Sequence, residues 1–136
     1  MNHSPLVSAV DGLLSGSPTP GDISVLRDTF QRYCADDGAS LNAVINGQCS
    51  KGLRNSLKEY RWRRHIAEAV ALLDHQGATT HSIAVTLSKE LARLQRAHRP
   101  ATDPLGQALQ AALAAHPNGG TSVSSLWPII DQARQE

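Results

Sequence analysis

Aromatic residues are scarce in this chain, with one Phe, two Tyr and two Trp in 136 residues. Its hydrophobic residues, 40% of the total, are therefore mostly Leu, Ile, Val and Ala. Sheets favour aromatic and β-branched residues, whereas an aliphatic, Ala-rich core suits closely packed helices. We predict an all-α protein with no sheet.

Long apolar runs and abundant cysteine are also missing. No segment approaches the roughly 20 apolar residues that cross a bilayer. Residues 1–10 contain Pro5 and no positive region, unlike a secretory signal. Cys34 and Cys49 could form one disulfide, but a chain of this size with a core does not need it. We expect a cytoplasmic protein with reduced thiols and no membrane partner.

Motifs for catalysis, cofactors and metals are missing too, with no Gly-rich phosphate loop and no nucleophile elbow. Glu59 and Glu68 are better interpreted as surface partners of arginines than as a catalytic pair. Only Asp74 and His75, with His81 nearby, approach a metal-ligand spacing. The histidines are His3, His65, His75, His81, His98 and His116. We predict no enzymatic activity, no cofactor and no metal.

Charge is unevenly distributed along the chain, although the net charge is only +1. Residues 51–99 hold ten Lys or Arg against four Asp or Glu. Residues 1–50 hold two against five, and residues 100–136 hold one against three. A basic middle between acidic ends favours contact with an anionic partner.

Start and stop signals divide the chain into six or seven helices. Ser4 before Pro5 and Asp103 before Pro104 each place a capping side chain ahead of a proline at the first helical position. The predicted helices begin near Pro5, Pro20 or Asp22, Ser40, Ser50, Thr79 or Thr80, Pro104 and Ser125. We expect one domain, residues 1–136, built as a compact bundle with one long central helix.

The long helix, predicted over residues 50–76, carries two apolar stripes about 150° apart at 100° per residue. The stripes are Leu53, Leu57 and Tyr60, and Trp62, Ile66, Ala69 and Leu73. No Gly or Pro follows Gly52 within it, so we favour one continuous helix over two. Its two halves would pack against different partners.

Apolar residues also share one side of two other helices. Ile23, Leu26, Phe30 and Tyr33 do so in the second helix. Near the end, Trp127, Ile129 and Ile130 indicate that the last helix docks on the core, with Pro128 tolerated in its first turn. The second helix is predicted to run to Ala35 and to be ended by Asp36, Asp37 and Gly38.

Cations form a stripe of their own on the long helix. Lys51, Arg54, Lys58, Arg61 and His65 follow one another at spacings of three or four residues. Arg63 and Arg64 extend the charge around the helix. Such a stripe can bind phosphates, and aromatic neighbours, here Tyr60 and Trp62, could stack on unpaired bases. The alternative is a solvated helix face with both aromatics in the core.

A second basic strip, Lys89, Arg93 and Arg96, lies opposite the apolar stripe of the next helix. Residues 63–99 can be interpreted as a helix-turn-helix whose turn falls at Ser88. The turn lacks Gly, and the apolar stripe continues through it without a phase shift. One uninterrupted helix is therefore the better interpretation, and its dipole also favours cations at its C-terminal end.

Two functions fit these features. The first is a small non-enzymatic nucleic-acid-binding accessory or regulatory protein with nine phosphate-contacting side chains. These are Lys51, Arg54, Lys58, Arg61, Arg63, Arg64, Lys89, Arg93 and Arg96. The second is a helical adaptor, chaperone or inhibitor that binds another protein through an apolar helix face. An acidic protein could also bind the basic middle of the chain. Formation of a homo-oligomer is compatible with both.

Overall fold

The computed structural model describes residues 4–35, 40–48, 52–97 and 99–135. Those residues form seven α-helices and no strand, which confirms the all-α prediction. The helices are α1 (Pro5–Leu14), α2 (Pro20–Ala35), α3 (Leu41–Asn46), α4 (Leu53–Leu73), α5 (Thr80–Arg96), α6 (Pro104–Ala115) and α7 (Val123–Gln135). The predicted stop at Asp36, Asp37 and Gly38, the start at Ser50, and the residues His3, Cys49 and His98 lie outside the described part.

Four helices begin at side chains that the sequence predicts as N-caps. These are Ser4, Ser40, Thr79 and Asp103. Each accepts a hydrogen bond from a backbone N–H two or three residues further along the chain. At Thr79 the bond is reciprocated by Ser82, whose hydroxyl accepts from the Thr79 N–H. These bonds satisfy donors that the first helical turn leaves without an intrahelical partner.

Two predicted boundaries are wrong by a few residues. α4 ends at Leu73 instead of Gln76, because a turn follows in which Gly77 adopts a positive φ of 91°. α7 begins at Val123 instead of Ser125, because the Ser122 hydroxyl accepts from the Ser125 N–H and caps the helix earlier. Pro128 therefore lies inside α7 and not in its first turn.

Contacts divide the chain into two compact units, residues 1–60 and residues 61–136. The prediction of one domain stays a prediction. In the first unit, α2 packs against both α1 and α3. Its apolar cluster is centred on Leu6 and Val7, with Leu53, Leu57 and Tyr60 of α4 packed against them.

The second unit has the larger core, in which α5 packs against α6 and α7. The buried side chains of this core are Trp62, Ile66, Ala69, Val70, Ile83, Ala84, Leu87, Leu91, Leu94, Leu109, Ala112, Leu126 and Ile130. Each of α4, α5 and α6 contributes a fully buried alanine, and small side chains of this kind allow helix backbones to approach closely.

α4 is one helix of 21 residues, and it supplies both cores. Its first stripe packs in the first unit, and Trp62, Ile66 and Ala69 of its second stripe are buried in the second unit. The prediction of one continuous helix whose halves pack against different partners is confirmed. The change of buried face falls between Tyr60 and Trp62.

The predicted apolar side of α2 is mostly uncovered, as are the last residues of α1. Ile23, Phe30 and Tyr33 are 47%, 53% and 40% exposed, and Leu13 and Leu14 are exposed as well. The side of α2 that packs is marked by Thr29, which is buried and whose hydroxyl donates to the Val25 carbonyl. Leu26 of the stripe packs in the same cluster, so the exposed part of the stripe is Ile23, Phe30 and Tyr33.

We predict that Gly119→Ala destabilises the second unit. A Cβ at Gly119 would lie 2.8 Å from three ring atoms of the buried Trp62, so the indole or the turn has to shift. Overpacking of this kind costs about 1–3 kcal/mol. Urea unfolding followed by tryptophan fluorescence measures the loss, because Trp62 and Trp127 both lie in this unit.

The matched control for this prediction is Gly21→Ala in α2. Its added Cβ would meet only the Thr19 hydroxyl, at 3.7 Å, and alanine favours the helix. Unfolding followed by circular dichroism should show equal or slightly higher stability. Equal stability of Gly119→Ala and the wild type would contradict the close packing against Trp62.

We also predict that Arg134→Ala weakens the attachment of the α4–α5 turn to α7. The guanidinium donates to the Ala78 carbonyl at 2.9 Å and the Thr80 hydroxyl at 3.2 Å, and lies 3.4 Å from the Asp74 carboxylate. Since these partners are partly solvated, we expect a loss of about 1–2 kcal/mol in urea unfolding. Arg96→Ala removes the same charge from an exposed site and should change stability by less than about 0.5 kcal/mol.

Candidate nucleic-acid interface

The clearest basic surface is the exposed face of α5, which we call the α5 row: Lys89, Arg93 and Arg96. All three side chains are exposed, and they lie on the side of the helix opposite Leu87 and Leu91. Spacings of four and three residues place them on successive turns, spread over about 10 Å of helix axis. Neither Lys89 nor Arg96 has an ion-pair partner among the described residues. The Lys89 ammonium and the Arg96 guanidinium therefore both face solvent.

Arg93, in the centre of the row, is held in place by Glu90. Its Nε and Nη2 donate to the Glu90 carboxylate, with the shortest bond at 2.8 Å. Hydrogen bonding and charge attraction from Glu90 raise the pKa of the Arg93 guanidinium above its ordinary value. Glu90 and Arg93 therefore neutralise each other locally, and Lys89 and Arg96 carry the net positive charge of the row.

Arg99 continues the positive surface beyond the end of α5. Arg93 and Arg99 line one surface hollow of about 450 Å³, whose far wall includes Asp103. The Asp103 carboxylate accepts from the Gly106 N–H and caps α6. The loop is fixed by Gln110, whose side-chain amide donates to the Arg99 carbonyl and accepts from the Ala101 N–H.

The α4 cations predicted as site residues fall in both units, and Lys51 lies outside the described part of the chain. In the first unit, Arg54 and Lys58 are exposed. In the second unit, Arg61 is half-buried, and Arg64 lies 3.9 Å from Glu68. The expected role of Glu68 as a surface partner of an arginine is thus confirmed.

Arg63 lies on the same side of α4 as a core residue, Val70. Seven residues separate it from Val70, which places the two side chains about 20° apart around the helix. Val70 is buried and Arg63 is half-buried. Arg63, like Arg61, is therefore less accessible than Arg54, Lys58 and Arg64, and its predicted role in nucleic-acid binding stays a prediction.

Two alternatives from the sequence are resolved. Trp62 is buried in the core of the second unit, and its ring meets His116 edge-on at 6.2 Å, so it does not stack on bases. α5 continues through Ser88 as one helix, so residues 63–99 contain no helix-turn-helix with a turn at that point. The uninterrupted helix favoured from the apolar stripe is confirmed.

Trp127 is an exposed aromatic residue of the second unit. The predicted docking of α7 on the core is confirmed by the burial of Leu126 and Ile130, but Trp127 itself is 41% exposed, and its ring centroid lies 6.0 Å from that of His81. The signal was present in the spacing of Leu126 and Ile130. These two residues are buried, and residue 127 projects about 100° away from residue 126.

Two other kinds of site are absent from the described part of the chain. No group of three or more His, Cys, Asp or Glu side chains there could hold a metal ion. None of its helices combines the length and apolar composition that a membrane crossing requires. The Cys34 thiol is free and exposed.

Comparison with known proteins gives no further guide to the chemistry of the α5 row. No family model, no curated protein and no solved structure matches the chain.

Proposed function

We propose that this protein is a non-enzymatic nucleic-acid-binding protein with an accessory or regulatory role, and that the α5 row with Arg99 forms its main phosphate-binding surface. The observation that carries this proposal is the row itself: cations on successive turns of one exposed helix face. Arg and Lys in such an arrangement neutralise successive phosphates, and the release of condensed counterions drives association.

The acidic residues of the second unit support the proposal because four of them are engaged locally. Glu90 binds Arg93, Glu68 lies beside Arg64 and His65, and Asp74 lies beside Arg134. Asp103 caps α6. These pairs neutralise as many cations as carboxylates, Arg93 among them, so the attraction of the α5 row for an anion comes from Lys89 and Arg96, which have no ion-pair partner among the described residues.

The α4 cations are the second contact surface in this proposal. Arg54 and Lys58 are exposed in the first unit, and Arg61 and Arg64 lie on α4 in the second. A continuous positive surface across α4 and α5 stays a prediction from the sequence. Charge reversal at Arg61 and Arg64 measures how much of the affinity these residues contribute.

We predict that Lys89→Glu combined with Arg96→Glu weakens nucleic-acid binding at least tenfold at low salt. Losing two phosphate contacts also lowers the slope of log K against log salt by about 2. Both effects are measured by fluorescence anisotropy with labelled DNA and RNA, single-stranded and duplex, over a salt series.

The control for this experiment is Arg27→Glu combined with Arg32→Glu in α2. It makes the same change of net charge at two exposed cations of the first unit. Affinity and salt slope should then stay close to those of the wild type. Equal weakening by both double variants, or no binding of any nucleic acid at low salt, would overturn the proposal.

A second candidate function, a helical adaptor, is favoured by the uncovered side of α2. Ile23, Phe30 and Tyr33 are exposed and lie within about 80° of one another around the helix, whereas Leu26 of the same stripe packs in the first unit. Half of the Phe30 surface is exposed, and large apolar side chains grouped in this way are typical of protein-binding surfaces. The two stripes of α4, by contrast, are covered in their own units.

We predict that a photo-crosslinking benzoylphenylalanine at position 30 forms one discrete adduct in cells. The same group at position 32 should form none, because Arg32 is exposed but projects about 160° away from Phe30. A dimer formed by the purified protein alone would identify the partner as a second copy. Absence of an adduct at position 30 under both conditions would remove the adaptor as a candidate.

A further inference from the structure

Trp127 and His81 form an exposed aromatic pair at the first turn of α5. The rings lie 6.0 Å apart with an interplanar angle of 48°, a separation at which aromatic rings attract each other. His81 belongs to the same helix as the α5 row, and Leu126 anchors the turn of α7 that carries Trp127. The indole is therefore exposed but fixed.

An open hollow lies beside this pair. It has a volume of about 690 Å³ and is lined by Ser122, Val123, Ser124, Trp127 and Pro128. None of the described residues that line it is charged. The walls are mostly apolar, and the serine hydroxyls add hydrogen-bonding groups. Pro128 has no N–H, so it cannot donate to the Ser124 carbonyl as a residue inside a helix otherwise would.

We propose that Trp127 is a stacking platform for an unpaired base, so that the ligand of the second unit is single-stranded nucleic acid. This inference rests on the proposed function, because the α5 row supplies the charge that holds the strand. The flat indole of Trp127, with serine hydroxyls near it, offers a surface on which a nucleobase can stack. The described lining of the hollow includes no cation that would bind a phosphate. Aromatic residues beside a basic track are typical of proteins that bind single strands.

The spacing along α5 is compatible with one strand that reaches both features. His81 and Lys89 are eight residues apart, which is about 12 Å along the helix axis and about 80° around it. Single-stranded binding modules cover about 4–16 nucleotides, so a short oligonucleotide spans this distance. A duplex keeps its bases stacked inside, and it can contact the α5 row without using Trp127.

The test compares Trp127→Ala and Trp127→Phe with the wild type, using labelled single strands of DNA and RNA and the corresponding duplexes. We expect Trp127→Ala to weaken single-strand binding about tenfold, because stacking on one aromatic residue contributes that much or more. Trp127→Phe keeps an aromatic face and should restore most of the affinity. Duplex binding should not change in either variant.

Two further arms separate stacking from loss of surface. A strand of the same length made of base-free sugar and phosphate should bind the wild type and Trp127→Ala equally. Leu72→Ala, which removes another exposed apolar side chain of the second unit, should leave single-strand affinity unchanged. Circular dichroism checks that each variant is folded.

The outcomes separate this inference from the proposed function. Binding that depends on Lys89 and Arg96 but is equal for single strands and duplexes, and unchanged in Trp127→Ala, would overturn the stacking platform and leave the phosphate surface in place. No binding of any nucleic acid would overturn both. Tighter binding of single-stranded DNA or of single-stranded RNA identifies which of the two is the ligand.

Discussion

Burial of one face of α5 over its whole length is the contact on which the second unit depends. Ile83, Leu87, Leu91 and Leu94 are all in the core, and α6 and α7 pack against this helix. Because one face is fixed from the first turn to the last, the opposite face is presented to solvent as a row. The same packing holds the first turn of α5 beside α7, which brings His81 to Trp127.

The sequence predicted the orientation of a helix correctly where its apolar residues left only one side that could be buried. α5 had one apolar stripe and one basic side, so its orientation followed from periodicity alone. α2 also had a stripe, but packing covered Leu26 of it together with Val25 and the polar Thr29, and left Ile23, Phe30 and Tyr33 exposed. Whether a stripe is covered depends on the number of helices within reach, and a linear pattern does not contain that information.

The same limit applied to the candidate site. The α5 row was predicted in full, because cations opposite a well-formed core stripe can only face solvent. On α4 the sequence showed two apolar stripes, and a cation between them, such as Arg63, is exposed or half-buried according to the stripe that is covered locally. On α7 the apolar residues predicted docking of the helix, and the spacing of Leu126 and Ile130, which define its buried side, leaves Trp127 exposed.

The low net charge of the chain constrains how a nucleic acid could be held. Four phosphate contacts, from the α5 row and Arg99, give a salt dependence that removes about a hundredfold of affinity between 50 and 200 mM salt. Phosphate contacts alone would then leave weak binding at physiological ionic strength. A salt-independent term is needed, and stacking provides one, because it depends on ring contact and not on counterion release. Under the proposed function, the exposed indole of Trp127, on the helix that packs against α5, is placed to supply this term.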